Sequence, residues 1–238
     1  MSALEGRLAS GLMGKGRLPE PAQIVEEALL LLNPRRDLAG RRVLVTAGTT
    51  REPFDPVRFI GNRSTGKMGF AIAAAALERG AEVTLISGPS PLTPPPGVTF
   101  VAIEACLDRL AACQAHFGGA DITIAAAAPA DYRPAAIANE KIKKAGDELT
   151  ITLVKNPDVI AELGKQKRAG QVTIAFAAET QDVIENARKK LTSKKADMVV
   201  ANDVKAEGAG FGTDTNKVTF VDATSTEELP LMSKREVS

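Results

Sequence analysis

The residues best suited to hold a phosphate group lie in a polar loop between two apolar segments. Val43–Val45 has the composition of a buried strand, and an alanine-rich helix pattern begins after Gly66. Gly48 ends the strand, and Ser64 lies just before the helix. Because free N–H groups and the dipole of a helix N-terminus attract anions, these elements predict a phosphate-binding loop that includes Gly48, Ser64 and Gly66. A solvated basic loop is the alternative.

The same loop nearly matches the P-loop of nucleoside triphosphatases. Residues 61–67 fit G-x-x-x-x-G-K, but Met68 follows where a serine or threonine would bind magnesium. Thirteen residues also separate Gly48 from Asn62, so the motif does not directly follow the strand. These departures favour an anion loop of another kind.

A run of small residues, AAAAPADYRP at 125–134, ends the fourth predicted strand. The small side chains at Ala127 and Ala128 would let a planar ligand approach the backbone closely. The Asp131 carboxylate can accept a hydrogen bond from a ribose or bind a metal. We favour this binding role over the alternative, an ordinary buried strand end with a capping aspartate.

Lysines cluster in two further places. Residues 140–144, EKIKK, are typical of a solvated face, but a mobile ammonium also suits charge developing on a transferring phosphate. Lys190 and Lys194 are spaced i, i+4 on a predicted helix, so they share one face and repel slightly. They are either two solvated lysines or a pair that binds phosphate.

Two more strand ends complete the candidates. Lys155–Asp158 lies where a strand leads into a helix, and Asn156 or Asp158 could simply cap that helix. Phe176 ends the following strand, a position at which phenylalanine is most often part of the core.

Composition excludes several classes of function. The 238 residues carry a net charge of +1, so no global basic field would recruit nucleic acid or an acidic membrane. No apolar run is long enough to span a membrane and no secretory segment is recognisable, which makes a cytoplasmic location the default expectation. Cys106 and Cys113 are too few for a disulfide framework or a zinc site, and buried thiols are expected. His116 has no obvious catalytic partner.

Alternation of strands and helices predicts an α/β fold. We expect a doubly wound, mostly parallel Rossmann-like sheet with helices on both faces and an inserted hairpin or flap at 137–155. A further strand within 216–222 is expected at a sheet edge, and 229–238 resembles the start of a helix. The predicted strands are 43–47, 82–87, 98–102, 121–127, 172–178 and 197–201, and the predicted helices are 67–79, 104–117, 157–168 and 181–195.

Residues 1–37 differ from the rest of the chain. Its glycines predict a flexible start, and an amphipathic helix is predicted from Pro21 to Leu32.

In a doubly wound sheet, ligands bind beyond the strand C-termini where the strand order reverses, between the first and fourth strands in the usual order. By that rule, we expect four groups of residues to lie together at one end of the sheet: 48–51, 127–132, 176–179 and 202–203.

The motifs resemble a known family. TAGTTREPFDPVRFIGNRSTGKMG at 46–69 closely resembles the start of the synthetase domain of bacterial phosphopantothenate–cysteine ligase, and the resemblance extends over about 38–231. Residues 14–32 resemble the tail of the flavin-dependent decarboxylase domain that precedes the synthetase. The implied domains are 1–37, a linker and decarboxylase remnant, and 38–238, a synthetase domain that lacks its C-terminal helix; no flavin is expected.

The resemblance implies a two-step ligation. The carboxylate of 4′-phosphopantothenate attacks the α-phosphate of CTP with Mg²⁺ present, and cysteine then attacks the acyl-cytidylate. The residues implied as catalytic are Asn62 and Lys141, and Arg58 and Asn62 are implied to bind substrate. A homodimer is implied, with part of one subunit near 137–155 closing over its neighbour's site. The residues implied to bind the nucleotide are Ala127, Ala128, Asp131, Lys141, Lys155, Asn156, Pro157, Asp158, Phe176, Lys190 and Lys194.

Two other classes of protein remain alternatives. An NAD(P)-dependent short-chain-type oxidoreductase fits the opening strand, but the sequence has no G-x-G-x-x-G after it and no acidic residue for the ribose at Ser87–Gly88. In addition, Ala136 lies four residues after the only tyrosine, Tyr132, where such enzymes need a lysine. The second alternative is a nucleotide-binding fragment without catalytic activity.

Overall fold

The computed structural model describes residues 4–7, 13–17, 21, 24–25, 35–144, 146–179, 181–204 and 207–238. The described helices are α1 (Lys67–Glu78), α2 (Cys106–Phe117), α3 (Val159–Lys165), α4 (Val183–Ser193) and α5 (Lys234–Val237). The described strands are β1 (Leu4–Arg7), β2 (Met13–Arg17), β3 (Arg42–Ala47), β4 (Glu52–Pro53), β5 (Phe59–Ile60), β6 (Glu82–Ser87), β7 (Thr99–Ala102), β8 (Ile122–Ala125), β9 (Tyr132–Pro134), β10 (Leu153–Lys155), β11 (Val172–Glu179), β12 (Met198–Asp203), β13 (Thr215–Asn216), β14 (Val218–Asp222), β15 (Thr226–Glu228) and β16 (Met232–Ser233).

Eight strands form the central sheet in the order β7-β6-β3-β8-β11-β12-β14-β15. The six strands from β7 to β12 are parallel, and β14 and β15 are antiparallel to their neighbours. The chain therefore winds outwards in both directions from the β3–β8 pair. This confirms the predicted doubly wound, mostly parallel sheet and its reversal point between the first and fourth strands.

Strand β3 separates two hydrophobic layers because successive side chains of a strand point to opposite faces. Val43 and Val45 belong to the cluster that packs on α1. Leu44 belongs to the other cluster, which includes buried residues of α2 and α3. Both cysteines are buried and free, as expected.

One outlying prediction needs correction. Strand β14 is not at the sheet edge, because a turn at Asp222–Ser225 sends the chain back as β15, which pairs with it. The segment 137–155 lies outside the central sheet, as predicted for a hairpin or flap: among its described residues β10 is the one strand, and it pairs antiparallel with β9. The glycine-containing start includes the β1–β2 pair, which was not predicted. Most of the helix predicted at 21–32 lies outside the described residues.

Candidate functional site

A cavity of about 760 Å³ opens at the C-terminal ends of the central parallel strands. It is lined from both faces of the sheet, by the start of α1 on one side and by the starts of α2 and α3 on the other. Of the residues predicted for the site, thirteen line it: Asn62, Ser64, Gly66, Ala127, Ala128, Asp131, Lys155, Asn156, Pro157, Asp158, Phe176, Lys190 and Lys194.

Asn62 is held in the cavity wall by hydrogen bonds to the small-residue segment, residues 125–131. Its Nδ2 atom donates to the Ala128 carbonyl oxygen at 3.3 Å and to that of Pro129 at 2.9 Å. Its backbone N–H donates to Thr49 Oγ1 at 3.1 Å. Since the Nδ2 donors are used in this way, Oδ1 is the side-chain atom that remains for a ligand.

Asn156 fixes the opposite side of the small-residue segment. It is buried, its Nδ2 atom donates to the Ala130 carbonyl at 2.8 Å, and its N–H donates to the Asp131 carbonyl at 2.8 Å. Arg133 in turn donates to Asn156 Oδ1 at 3.1 Å. The side chain of Asn156 therefore shapes the cavity floor and does not cap α3.

Asp158, Lys190 of α4 and Lys194, which follows the last residue of α4, form the cationic side. Asp158 caps α3 by accepting from the Ala161 N–H at 3.1 Å, and its Oδ2 atom lies 3.1 Å from Lys194 Nζ. Lys190 Nζ lies 2.5 Å from Glu179 Oε1. Carboxylates thus hold both ammonium groups at the cavity wall, where they can still attract an anion.

A second cationic side was missed by sequence reasoning. Lys67 donates to Asp214 Oδ1 at 2.7 Å and to the Gly212 carbonyl at 2.8 Å. Lys234 is buried and donates to the carbonyls of Gly210 and Thr215 at 3.1 and 3.0 Å. Burial lowers the pKa of Lys234. The two lysines hold the loop at 208–215 as a cavity wall. Lys67 ends the near match to a P-loop but was assigned no role there, and no motif marked Lys234.

Three predicted residues do not line the cavity. Gly48 lies beneath the wall, where its carbonyl accepts from the Ala128 N–H at 3.0 Å. Arg58 pairs with Asp55 and donates to the Ile142 carbonyl at 2.9 Å. Lys141 is exposed, next to Ile142 in the segment that Arg58 anchors. The predicted roles of Arg58 and Lys141 therefore depend on a movement of that segment or on a second chain.

The described residues offer few ligands for a resident metal. No group of three or more His, Cys, Asp or Glu side chains lies close enough to hold an ion in this part of the chain. Asp131 and Asp158 are the carboxylates that line the cavity. Such a set fits Mg²⁺ that arrives with a nucleotide, because Mg²⁺ is commonly held by one or two carboxylates together with substrate phosphates.

The two thiols are unsuited to nucleophilic catalysis. Burial raises the pKa of Cys106 to about 11 and that of Cys113 to about 12, so both remain protonated at neutral pH. Within the described ranges no helix is long and apolar enough to cross a membrane.

Comparison with known proteins supplies the family. The model of the DNA/pantothenate metabolism flavoprotein C-terminal domain matches residues 38–238. The coenzyme A biosynthesis bifunctional protein CoaBC of Bacillus subtilis (strain 168) is 48% identical over 98% of this chain and 58% of that protein. CoaBC of Escherichia coli (strain K12) is 47% identical over 96% of this chain and 57% of that protein. This chain therefore spans less than two thirds of either relative.

Solved structures agree with the sequence comparison. The crystal structure of the C-terminal domain of CoaBC superposes with a TM-score of 0.72, at 44% identity, over 85% of this chain and 92% of that one. The DNA/pantothenate metabolism flavoprotein from Streptococcus pneumoniae does so with a TM-score of 0.72, at 26% identity, over 83% and 95%. The resemblance found in the motifs is confirmed: the chain belongs to the family of DNA/pantothenate metabolism flavoprotein C-terminal domains.

Proposed function

We propose that this chain is a CTP-dependent phosphopantothenate–cysteine ligase. The observation that carries the proposal is the convergence of Asn62, the small-residue segment at 125–131 and Lys190 and Lys194 on one cavity at the strand ends. Both the CoaBC relatives and the related crystal structure bear names that include coenzyme A biosynthesis, which supports the same assignment.

The first step would form an acyl-cytidylate. The carboxylate of 4′-phosphopantothenate attacks the α-phosphorus of CTP, a P–O bond forms, and pyrophosphate leaves with the electrons of the broken bond. Lys190 and Lys194 attract the phosphates from one side, and Ala127 and Ala128 leave room for the nucleoside beside the backbone. Phe176 supplies an apolar surface for the base. Positioning and charge neutralisation supply most of the rate enhancement in such a step.

The second step would transfer the acyl group to cysteine. The amine attacks the acyl carbon, CMP leaves, and the proton lost by nitrogen passes to solvent. Asn62 Oδ1 and the backbone of the adjacent wall would hold the pantothenoyl part in one orientation. No protein nucleophile is required. Mg²⁺, when bound with CTP, would neutralise triphosphate charge, and Asp131 is the lining carboxylate best placed to contact it.

Assembly and cellular context are part of the proposal. A homodimer would bring Lys141 of one subunit towards the site of the other, which would account for its position outside the cavity. We further propose that residues 38–238 form the synthetase domain, that 1–37 is a linker and decarboxylase remnant, and that the protein acts in the cytoplasm without flavin in this chain. In the full-length protein a decarboxylase domain would supply the partner activity.

A pyrophosphate-release assay tests the proposal. CTP, phosphopantothenate and cysteine are each omitted in turn, and ATP replaces CTP in a further arm. Release should require CTP and phosphopantothenate, and formation of CMP and the cysteine adduct should also require cysteine. CTP binding without release would favour a nucleotide-binding fragment, and a fluorescence change with NADPH would favour an oxidoreductase. Equal release with ATP would reject the nucleotide preference.

A further inference from the structure

Arg109 is a buried cation that touches the cavity from beneath. It is 1% exposed, and among the described residues it has the largest volume of the fully buried side chains. Its Nη1 atom donates to the Ala47 carbonyl at 3.0 Å, and Nη2 donates to the Thr49 carbonyl at 2.8 Å. Burial lowers the pKa of Arg109 to about 10, which leaves the guanidinium charged at neutral pH.

The two carbonyls that Arg109 holds flank a turn. Gly48 lies between them with a φ of 72°, a left-handed conformation that glycine adopts without strain. The Gly48 carbonyl in turn accepts from the Ala128 N–H at 3.0 Å. Arg109 thereby fixes the direction in which Thr49 leaves β3.

Thr49 connects this turn to Asn62. Its Oγ1 atom accepts the Asn62 N–H at 3.1 Å, and its backbone forms an isolated parallel bridge with Ala128. Asn62 Nδ2 donates to the Ala128 and Pro129 carbonyls. One residue therefore separates the Arg109 guanidinium from Asn62 in the hydrogen-bond network.

Stability alone is a poor reason for a guanidinium in this place. Its Nε atom is buried and has no hydrogen-bond partner. Nearby Glu52, also buried, accepts the Cys106 N–H at 2.9 Å. A buried charge without a directly bonded carboxylate costs free energy, so stability does not account for a guanidinium at this position.

We infer that Arg109 is a positioning residue for the ligation: by clamping the Ala47 and Thr49 carbonyls it holds Thr49, and through Thr49 it orients Asn62 at the cavity wall. The kinetic part of this inference rests on the proposed function. The positional part, the order of the chain at Thr49 and Asn62, does not.

The kinetic test compares Arg109→Met, Arg109→Lys and Asn62→Ala. Arg109→Met should keep the wild-type KM for CTP and should lower kcat for consumption of the acyl-cytidylate roughly tenfold, since small displacements of a positioned group slow a reaction steeply. Arg109→Lys retains one charged donor and should recover part of the rate. In the Asn62→Ala background, Arg109→Met should have little further effect, because both changes act on the same group.

Gln171→Met is the matched control. Gln171 is also buried and donates from one side-chain nitrogen to two backbone carbonyls, those of Phe117 and Ala120, both at 2.8 Å, at the opposite end of the sheet. Its loss should leave kcat unchanged, whatever it does to stability. A kcat loss in Gln171→Met equal to that in Arg109→Met would overturn the inference, as would additive effects of Arg109→Met and Asn62→Ala.

Amide hydrogen exchange provides a readout independent of activity. In Arg109→Met, exchange of the Asn62 N–H, which donates to Thr49 Oγ1, should accelerate at least tenfold, while exchange in β11 should be unchanged. If the wild-type protein releases no pyrophosphate, the proposed function fails, and exchange alone decides the positional inference. Wild-type exchange at Asn62 in both Arg109 variants would overturn it. If Arg109→Met does not fold, Arg109→Lys carries the test, with a smaller acceleration expected.

Discussion

Asn62 has two different side-chain atoms with two different tasks. Nδ2 is committed to the Ala128 and Pro129 carbonyls, so Oδ1 is the atom available to a ligand. A loop asparagine can also stabilise a turn by bonding its own backbone, but no such bond is among those of the Asn62 side chain in the described part of the chain. Asn62 is therefore bound to the cavity wall itself, which supports the role as a clamp on the pantothenoyl group.

Asn62→Asp should separate the two chemical steps. A carboxylate oxygen would face two carbonyl oxygens, the side chain would turn away, and the acyl-cytidylate would lose its clamp. Activation should continue while the second step slows at least tenfold, so the intermediate should accumulate and be detectable by mass spectrometry after single-turnover mixing. A well-folded variant that turns over normally without accumulation would contradict the assignment.

Lys141→Gln should slow the first step without affecting the fold. Lys141 is exposed in the segment after Ala138 and supports no core, so the melting temperature should stay within about 2 °C of wild type. Loss of its charge should reduce acyl-cytidylate formation at least tenfold. Lys143→Gln, an equally exposed neighbour, is the control and should behave as wild type. Normal intermediate formation in Lys141→Gln would remove Lys141 from the mechanism.

At the residue scale, the predictable part of the site followed from strand order. Once β3 and β8 are neighbours, the residues that follow their C-terminal ends must meet, which explains why the Ala128 N–H reaches the Gly48 carbonyl. The burial of Arg109 could not be predicted, because the sequence does not distinguish a buried arginine of an amphipathic helix from a solvated one until the packing of α2 is known. Lys234 was missed for the same reason, since its partners are carbonyls of a distant loop.

At the element scale, the approach of α1 to β3 depends on one glycine. A Cβ built on Gly69 would lie 2.5 Å from the Ala47 Cβ atom and 3.0 Å from the Ala47 Cα atom. Gly69→Ala should therefore push α1 away from the sheet and lower the free energy of unfolding by about 1–3 kcal/mol in urea titration. Gly118→Ala has open space around its Cβ position and should be neutral within about 0.5 kcal/mol. Equal stability of the two variants would contradict this packing.

The segment around Lys141 is anchored by a carboxylate whose protonation should release it. Asp55 accepts from the Arg58 guanidinium, from the N–H groups of Val57 and Arg58, and from the Ile142 N–H at 3.1 Å. These bonds, led by that from the Arg58 guanidinium, hold the pKa of Asp55 far below its ordinary value. Because the folded pKa is depressed, the stabilisation is present above the unfolded pKa of about 4 and is lost as the pH falls further.

Asp55→Asn tests this anchor. At pH 7 the variant should melt a few degrees below wild type, because it loses the charge that faces Arg58. The difference should shrink as the pH falls below about 4, because the Asp55 carboxylate then takes up a proton in the unfolded wild-type chain before it does so in the folded one. Calorimetry at several pH values measures it, and a difference that does not change with pH would exclude the carboxylate as its cause.

Regular elements were predicted well because their signals are local. The boundaries of β6 match the prediction at both ends, and the four long helices fall within their predicted ranges. Strand partners were harder to predict where the pairing is non-local. β15 pairs with β14 through a turn in which Asp222 accepts hydrogen bonds from the Thr224 and Ser225 N–H groups. β10 pairs with β9, which lies about twenty residues earlier in the chain.

At the scale of the whole molecule, one region exposes a cluster of large apolar side chains. The β4–β5 and β9–β10 pairs are joined through the Ala138 N–H, which donates to the Phe54 carbonyl at 3.0 Å. Together with the segment between β9 and β10, this region exposes Val57, Phe59, Tyr132, Ile137, Leu149, Leu153 and Val154. Clustered exposed apolar residues are typical of a surface covered by another chain.

We predict that this region forms the homodimer interface. Wild-type protein should then have twice the 25.0 kDa mass of one chain in light scattering at micromolar concentration. Ile137→Glu should give monomers and reduce ligation, because a buried unpaired carboxylate opposes association and Lys141 would no longer reach a neighbouring site. Ile184→Glu, an exposed isoleucine of α4 outside this region, is the matched control and should remain dimeric. A monomeric wild type with full ligase activity would reject the interface and also the contribution of Lys141 from a second subunit.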